Sequence, residues 1–308
     1  MVKEKRGTGR HWWQDWELYL MALPCIVVVI IFNYIPMGGI ILAFKSYNFS
    51  DGVLKSPWVG FDNFRFFFES GVAGRLVFNT VFLNTLFALA VQILGILAAL
   101  FLNEIFKYKV AKVYQSVLFF PHFISWVIVG AFVYNIFNYE TGLMNGWLTS
   151  LGMEKVNVYS MPWVWPIIIC CFNAWKWCGY NSIIYIAAIT GIDGECYEAA
   201  QIDGANIFQR IWYITLPCIK PTVITMLLLQ VGRILRGDFE MFYQIVGNNG
   251  QLYNATDVID TYVFRSLMQN SNLGMTAAAT FYQSILCFII IMLVNAVVKK
   301  IDEDYALF

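Results

Sequence analysis

The chain has 308 residues, of which 59% are hydrophobic, 18% aromatic and only 13% charged, about half the charge of an ordinary soluble domain. Twenty Lys and Arg balance twenty Asp and Glu, so there is no basic excess to neutralise a nucleic-acid backbone, and nucleic acid is excluded as a partner. A mean hydropathy of +0.61 turns the length into a count of bilayer crossings, each needing about 20 apolar residues.

Charge-free stretches mark those crossings in chain order. No Asp, Glu, Lys or Arg occurs in 18–44, 76–103, 113–139 or 266–298. An apolar region from Val156 to Ile192 is interrupted only by Lys176, and another opens at Pro221 and meets Arg233. Runs this long and continuously apolar cross lipid as helices, because a backbone in hydrocarbon must satisfy its own hydrogen bonds. The expected fold class is all-α, a polytopic integral membrane protein with six transmembrane helices over 18–44, 76–102, 113–138, 163–190, 221–246 and 276–298. Residues 1–17 and 299–308 flank this 18–298 transmembrane domain. The basic Lys3–Arg10 segment ahead of the first run resembles a secretion signal, but the run is too long for one and reads as a retained helix.

Six crossings put both termini on one side, with 103–112 and 191–220. That side carries Lys3, Lys5, Arg6, Arg10, Lys107, Lys109, Lys112, Arg210, Lys220, Lys299 and Lys300. The other carries Lys45, Lys55, Arg65, Arg75, Lys155 and Arg265, so the first is expected to be cytoplasmic. Trp12, Trp13 and Trp16 then mark the inner interface and Trp163 and Trp165 the outer one.

The seven cysteines fall in the crossings or on the cytoplasmic side and form no CxxC pair, so they read as packing residues. With only His11 and His122 and no clustered acids, no metal site is expected. The chain lacks GxSxG, HExxH and a Walker lysine loop, so neither catalysis nor nucleotide hydrolysis is expected of it.

The segment 191–220 carries chemistry of its own. Asp193 can cap a first short helix containing Glu198, Ala199 and Ala200, which Gly204 ends. Asn206 and Gln209 have capping-box spacing for a second, whose Ile207, Phe208, Ile211 and Trp212 form an apolar stripe. Pro217 and Pro221 are expected to stop that second helix before the fifth crossing begins. Small residues beside an unpartnered acid leave room for another backbone, a docking surface for a basic groove, although such a loop can also simply close a bundle from below.

Glu198-Ala199-Ala200, three residues to Gly204, nine more to Ile214, then Leu216-Pro217 resembles the EAA loop of membrane permeases of binding-protein-dependent ABC importers. The resemblance runs nearly the whole length. Asn33–Asn48 and Ser56–Phe64 are similar to the first crossing and outer loop of sugar-type permeases. Gly237–Gln244 and Asp257–Val263 resemble the oligosaccharide and polysaccharide branch of the maltose-type family. Relatives often have a proline where Ile192-Asp193 stands. The resemblance implies a permease in the bacterial plasma membrane, paired with a second homologous permease and carrying an oligosaccharide delivered by an extracytoplasmic solute-binding protein. It also implies a cytoplasmic ABC ATPase dimer that binds ATP and Mg, this chain holding no cofactor. Carried onto this sequence, Glu198, Ala199, Ala200, Asp203, Gly204, Ile214, Leu216 and Pro217 form the ATPase-coupling surface.

Candidate substrate-pathway residues are ionisable, amide and aromatic groups of the fourth and fifth crossings: Trp175, Lys176, Asn181, Arg233, Arg236, Asp238, Glu240 and Tyr243. Charges at that depth either face a cavity or sit at the headgroup boundary, pairing as Arg236 with Glu240. Gly232 and Gly237 permit a helix break exposing backbone to a hydrophilic ligand. An aromatic-rich stretch such as Trp175–Trp177 also serves as lipid-facing packing. An ion-coupled secondary transporter or an importer of a non-sugar solute remain alternatives, but no internal repeat supports the former.

Overall fold

A computed structural model describes residues 16–69, 71–105, 111–270 and 272–301. Lys3, Lys5, Arg6, Arg10, Lys107, Lys109, His11, Trp12 and Trp13 lie outside the described residues. Those described form helices and connecting turns without a strand, apart from an isolated antiparallel bridge between Lys45 and Trp58.

Four helices are long and apolar enough to cross a membrane: α1 (Trp16–Phe44), α2 (Val72–Ile105), α7 (Ile207–Val231) and α10 (Leu273–Ile301). A fifth apolar unit is bent by 93° between α3 (Lys112–Phe123) and α4 (Trp126–Phe137). The expected single rod over 113–138 is therefore corrected to a broken one. Pro121 has no N–H to give, the chain tightens into a 3-10 turn at Phe120–Phe123, and Ile124 and Ser125 are extended. The helix α5 (Trp165–Thr190) is about 39 Å long at 1.5 Å per residue. Its buried Asn173, Lys176, Asn181 and Ser182 make it more polar than the others.

The fifth expected crossing, 221–246, is corrected at both ends. After the short helix α6 (Gly194–Ile202), α7 begins at Ile207 and runs through Pro217 and Pro221 without stopping. A widened π turn at Ile211–Thr215 lies just ahead of Leu216-Pro217 and takes up the slack that a proline nitrogen leaves in the hydrogen-bond ladder. The helix then ends at Val231, passes through turns at 232–238, and resumes as α8 (Phe239–Val246). The short helix α9 (Ile259–Asn270) precedes α10.

The helices α2 and α5 pack along each other as the spine of the bundle. Leu83, Phe87, Trp126, Val129, Trp165, Ile169, Met241 and Phe242 form a core at one end of that pair. Ala99, Leu102, Tyr185, Ile189 and Ile219 form another at the opposite end. Close approach depends on Gly179 of α5, where an added Cβ would overlap the carbonyl of Leu118. In contrast, α1 is exposed along its length as far as Met37, and its Gly38–Phe44 end packs on α10 and on the short helix Asp62–Glu69.

Candidate functional site

Two places bring the candidate residues together. In the first, Asp193 caps α6 by accepting the Glu195 N–H at 3.0 Å, and Gly204 ends the turn with a φ of +78°. Only glycine adopts that left-handed backbone without penalty, so the reversal is written into the sequence. Asn206 and Gln209 then close a reciprocal capping box at 2.9 and 2.8 Å, starting α7. Tyr197 and Thr215 share a hydroxyl contact of 2.9 Å that ties α6 to α7.

No residue of α6 is buried. Glu198 and Ala199 are exposed, Ala200 is half-buried, and Glu198 has no ion-pair partner among the described residues. Ala200, Asp203, Gly204 and Ile214 line a concavity of about 280 Å³ together with Arg210 and Tyr213. The Arg210 Nε is buried there without a hydrogen bond. Leu216 packs into the core, whereas Pro217 is exposed. Ile202, Phe208, Trp212 and Tyr213 are 86, 79, 67 and 74% exposed, so large apolar side chains stand uncovered here among the described residues. The arrangement offers small residues, one free carboxylate and an apolar rim to another surface.

The second place is a cavity of about 520 Å³ between α2, α5, α7 and the break after Val231. From α2 come Asn84 and Phe87; from α5, Asn173, Trp177, Tyr180 and Asn181, whose spacing puts them on one helical face. Gln230, Arg233, Arg236 and Asp238 line the far wall.

The unwound segment is pinned from all sides, as backbone at membrane depth requires. Asn84 Nδ2 donates to the carbonyls of Ile234 at 2.8 Å and Arg236 at 3.3 Å. Gln283 Nε2 of α10 donates to Leu235 O at 2.5 Å, and Asp260 Oδ2 of α9 accepts the Gly237 N–H at 2.7 Å. Asp238 caps α8 through the Met241 N–H at 3.1 Å while its other oxygen accepts from Trp126 Nε1. Arg236 sits in this break and does not pair with Glu240.

Of the eight expected pathway residues, Asn181, Arg233, Arg236 and Asp238 line the cavity. Lys176 lies behind its wall, 6% exposed, with Nζ donating to the carbonyls of His122 and Ile124 at the α3–α4 bend and lying 5.1 Å from the Trp126 ring centre. Trp175 and Glu240 are outside the lining. Tyr243 opens instead onto a separate cavity of about 330 Å³ with Phe264 and Arg265. There Arg265 bonds Asp257 at 2.6 Å and stacks 4.0 Å from the Tyr253 ring centre. Burial opposes the Arg265 charge, but the hydrogen bond and charge of Asp257 outweigh it and hold the guanidinium above its ordinary range. Asn84, Phe87, Tyr180 and Gln230 line the cavity without having been expected there, and of the aromatic pair Trp175 and Trp177 it is Trp177 that lines it. An amide such as Asn84 inside an otherwise apolar run was the available signal.

Among the described residues no group of three or more His, Cys, Asp or Glu gathers as a metal site. A helical bundle with a pinned helix break beside a cavity lined by apolar side chains, amides and two arginines is built as a membrane transport component. The chain matches the family described as "Binding-protein-dependent transport system inner membrane component" over residues 92–303, and it belongs to that family.

Among its relatives, Protein LplB of Bacillus subtilis (strain 168) is 35% identical over 303 residues, covering 97% of this chain and 94% of that one. The polygalacturonan/rhamnogalacturonan transport system permease protein YteP of the same organism is 35% identical, covering 94% of this chain and 90% of its own. A chain from the crystal structure of a bacterial ABC transporter involved in the import of the acidic polysaccharide alginate superposes with a TM-score of 0.84 at 36% identity. It covers 94% of this chain and 97% of that chain. A second structure shows a bacterial alginate ABC transporter in complex with its alginate pentasaccharide-bound periplasmic protein, with a TM-score of 0.83 at 36% identity.

Proposed function

We propose that this chain is a permease subunit of a carbohydrate ABC importer in the bacterial plasma membrane, passing an oligosaccharide through the cavity between α2, α5 and α7. The observation that carries this reading is that cavity: aromatic faces of Trp177 and Tyr180 beside the amides of Asn84, Asn173 and Asn181, at a pinned helix break. Aromatic rings suit the apolar faces of sugar rings, and fixed amides suit hydroxyls. The names of the relatives, a pectic-saccharide permease and an alginate importer, support the substrate class.

In this reading the chain crosses the membrane six times. The bent pair α3–α4 is the third crossing, α5 the fourth and α7 the fifth, with residues 1–17 and 299–308 cytoplasmic. The uncovered surface of Glu198, Ala199, Ala200, Asp203 and Gly204, with Ile214, Leu216 and Pro217 framing it, docks a cytoplasmic ATPase dimer that binds ATP and Mg. A second homologous permease completes the path, and an extracytoplasmic solute-binding protein delivers the sugar. Hydrolysis at the ATPase is transmitted through α6 into α7 as rigid-body movement, across the Gly204 reversal and the Tyr197–Thr215 hydroxyl contact that ties the two helices.

Site-directed crosslinking tests the reading. With Cys196 and Cys218 replaced by Ser, Ala199→Cys is expected to crosslink to the ATPase in membranes, and Val53→Cys, in the loop ahead of α2, is not. An ATPase that crosslinks at position 53 and never at position 199 overturns the assignment.

A further inference from the structure

We infer that His122 is a positioning residue for the cavity between α2, α5 and the helix break: its ring stands outside the lining and sets the tilt at which Trp177 and Tyr180 face a ligand. This rests on the carbohydrate reading of that cavity and is indifferent to which sugar it takes.

Trp177 and Tyr180 stand one turn apart on α5, with ring centres 5.8 Å apart and planes nearly perpendicular at 88°. Trp177 is only half-buried and Tyr180 is 41% exposed, so burial alone does not hold their rings. A third ring reaches them from the 3-10 turn Phe120–Phe123 at the α3–α4 corner. His122 stacks on Tyr180 with centres 4.7 Å apart and an angle of 21°, and meets Trp177 at 4.8 Å and 67°. Its neighbours on that corner do less: Phe119 reaches Tyr180 at 6.3 Å, and Phe123 packs on Phe119 and on His122 itself.

The backbone is arranged to bring this ring in. Gly179 lies between Trp177 and Tyr180 and lets α5 approach Leu118 and Phe119 more closely than any side chain would allow, while the buried Pro121 turns the chain just ahead of His122. The His122 Nδ1 is buried without a hydrogen bond among the described residues, so no polar contact at that nitrogen aims the imidazole, and what it gives its neighbours is a flat face and an edge. Contact between a sugar ring and an aromatic face falls off as the two planes diverge, because dispersion attraction is lost within a fraction of an ångström. A ring that fixes the tilt of both cavity aromatics therefore governs affinity without touching the ligand.

The test uses the whole complex, this permease with its second permease and ATPase, in lipid nanodiscs. Calorimetric titration with pentasaccharides of glucose, galacturonate and mannuronate finds the probe that wild type binds most tightly, and that probe is used for every variant. Trp177→Ala and Tyr180→Ala are each expected to weaken binding about tenfold. His122→Ala is expected to weaken it about fivefold, and His122→Phe, which keeps a flat ring and drops the unpaired nitrogen, to stay within about twofold of wild type. Should the Ala variant fail to assemble, His122→Leu, which fills the space without a flat face, carries the same expectation. Because His122 acts through the two rings, adding His122→Ala to the double variant Trp177→Ala with Tyr180→Ala is expected to cost less than about twofold more. A His122→Ala variant with a lowered Tm but unchanged affinity is a packing change alone and overturns the inference. So does a full fivefold loss in the background lacking both rings, or a His122→Phe variant as weak as His122→Ala, which would put the imidazole nitrogen itself on the sugar. If wild type binds none of the three probes, or neither Trp177→Ala nor Tyr180→Ala weakens binding, the carbohydrate reading of the cavity falls and the inference falls with it.

Discussion

Trp126 Nε1 donates to Asp238 Oδ2 at 2.8 Å, joining the first residue of α4 to the residue that caps α8. Each of these helices restarts after a break, so this single contact couples the two discontinuities of the bundle. Trp126→Phe keeps the aromatic ring under Lys176 but deletes the donor to a carboxylate. A loss of about 2 kcal/mol is expected, read as a lower Tm of the purified complex. An unchanged Tm shows that water or another donor replaces the indole.

Lys176 follows the same geometry from the opposite side. Its ammonium satisfies the carbonyls of His122 and Ile124, which the α3–α4 bend leaves without helical partners. Lys176→Met removes those donors while keeping the alkyl volume, and about 2 to 4 kcal/mol of stability is expected to be lost. Because Lys176 does not line the cavity, affinity for the transported sugar in the surviving protein should stay within about twofold, whereas Asn181→Ala, which does line it, should weaken binding about fivefold or more. A selective loss of sugar affinity in Lys176→Met, with normal Tm, assigns Lys176 to the ligand instead.

These two side chains show what was legible in the sequence. Charge-free stretches coincide with α1, α2 and α10, and the apolar region broken only by Lys176 contains α5, because hydropathy and helix length are local properties. Pro217 and Pro221 read as a helix stop, yet the π turn at Ile211–Thr215 carries α7 through them. Its cost is met by packing of Leu216 and Ile219 against α2 and α5, which no window of sequence contains. The bend at Ile124 is equally non-local, since the ammonium that stabilises it comes from α5. The caps at Asp193 and Asn206 and the reversal at Gly204 were fully legible, being made by residues two or three apart. Lys176 drew attention as a charge in an apolar run, but periodicity cannot say that it faces α3 rather than the cavity, one helical face away.

Gly179 offers a packing test independent of function. Here α5 meets α3 so closely that an added Cβ would overlap Leu118 O, and the Leu118 carbonyl carbon and the Phe119 nitrogen are also in the way. Backbone cannot move aside as a flexible side chain can. Gly179→Ala is expected to lower stability by about 2 kcal/mol or more, measured by thermal unfolding in detergent. Gly74→Ala, where nothing lies within 4 Å, is the matched control and should be neutral or gain up to about 1 kcal/mol from helix propensity.

Gly204 separates backbone strain from docking. Its φ of +78° penalises most side chains, but the space around a Cβ is open. Asn tolerates this backbone far better than Ala, which costs about 1 to 2 kcal/mol there. Gly204→Asn should therefore keep both fold and transport near wild type, while Gly204→Asp keeps the same shape and adds a charge beside Asp203 on the uncovered surface. The expected outcome for Gly204→Asp is normal expression and persistent ATP hydrolysis by the assembled complex, with uptake reduced about tenfold or more, because like charge at a docking surface costs several kcal/mol. Uptake assays in proteoliposomes with parallel phosphate release distinguish the cases. If Asp transports as well as Asn at equal expression, this surface carries no coupling, and movement of the ATPase reaches α7 through some other contact.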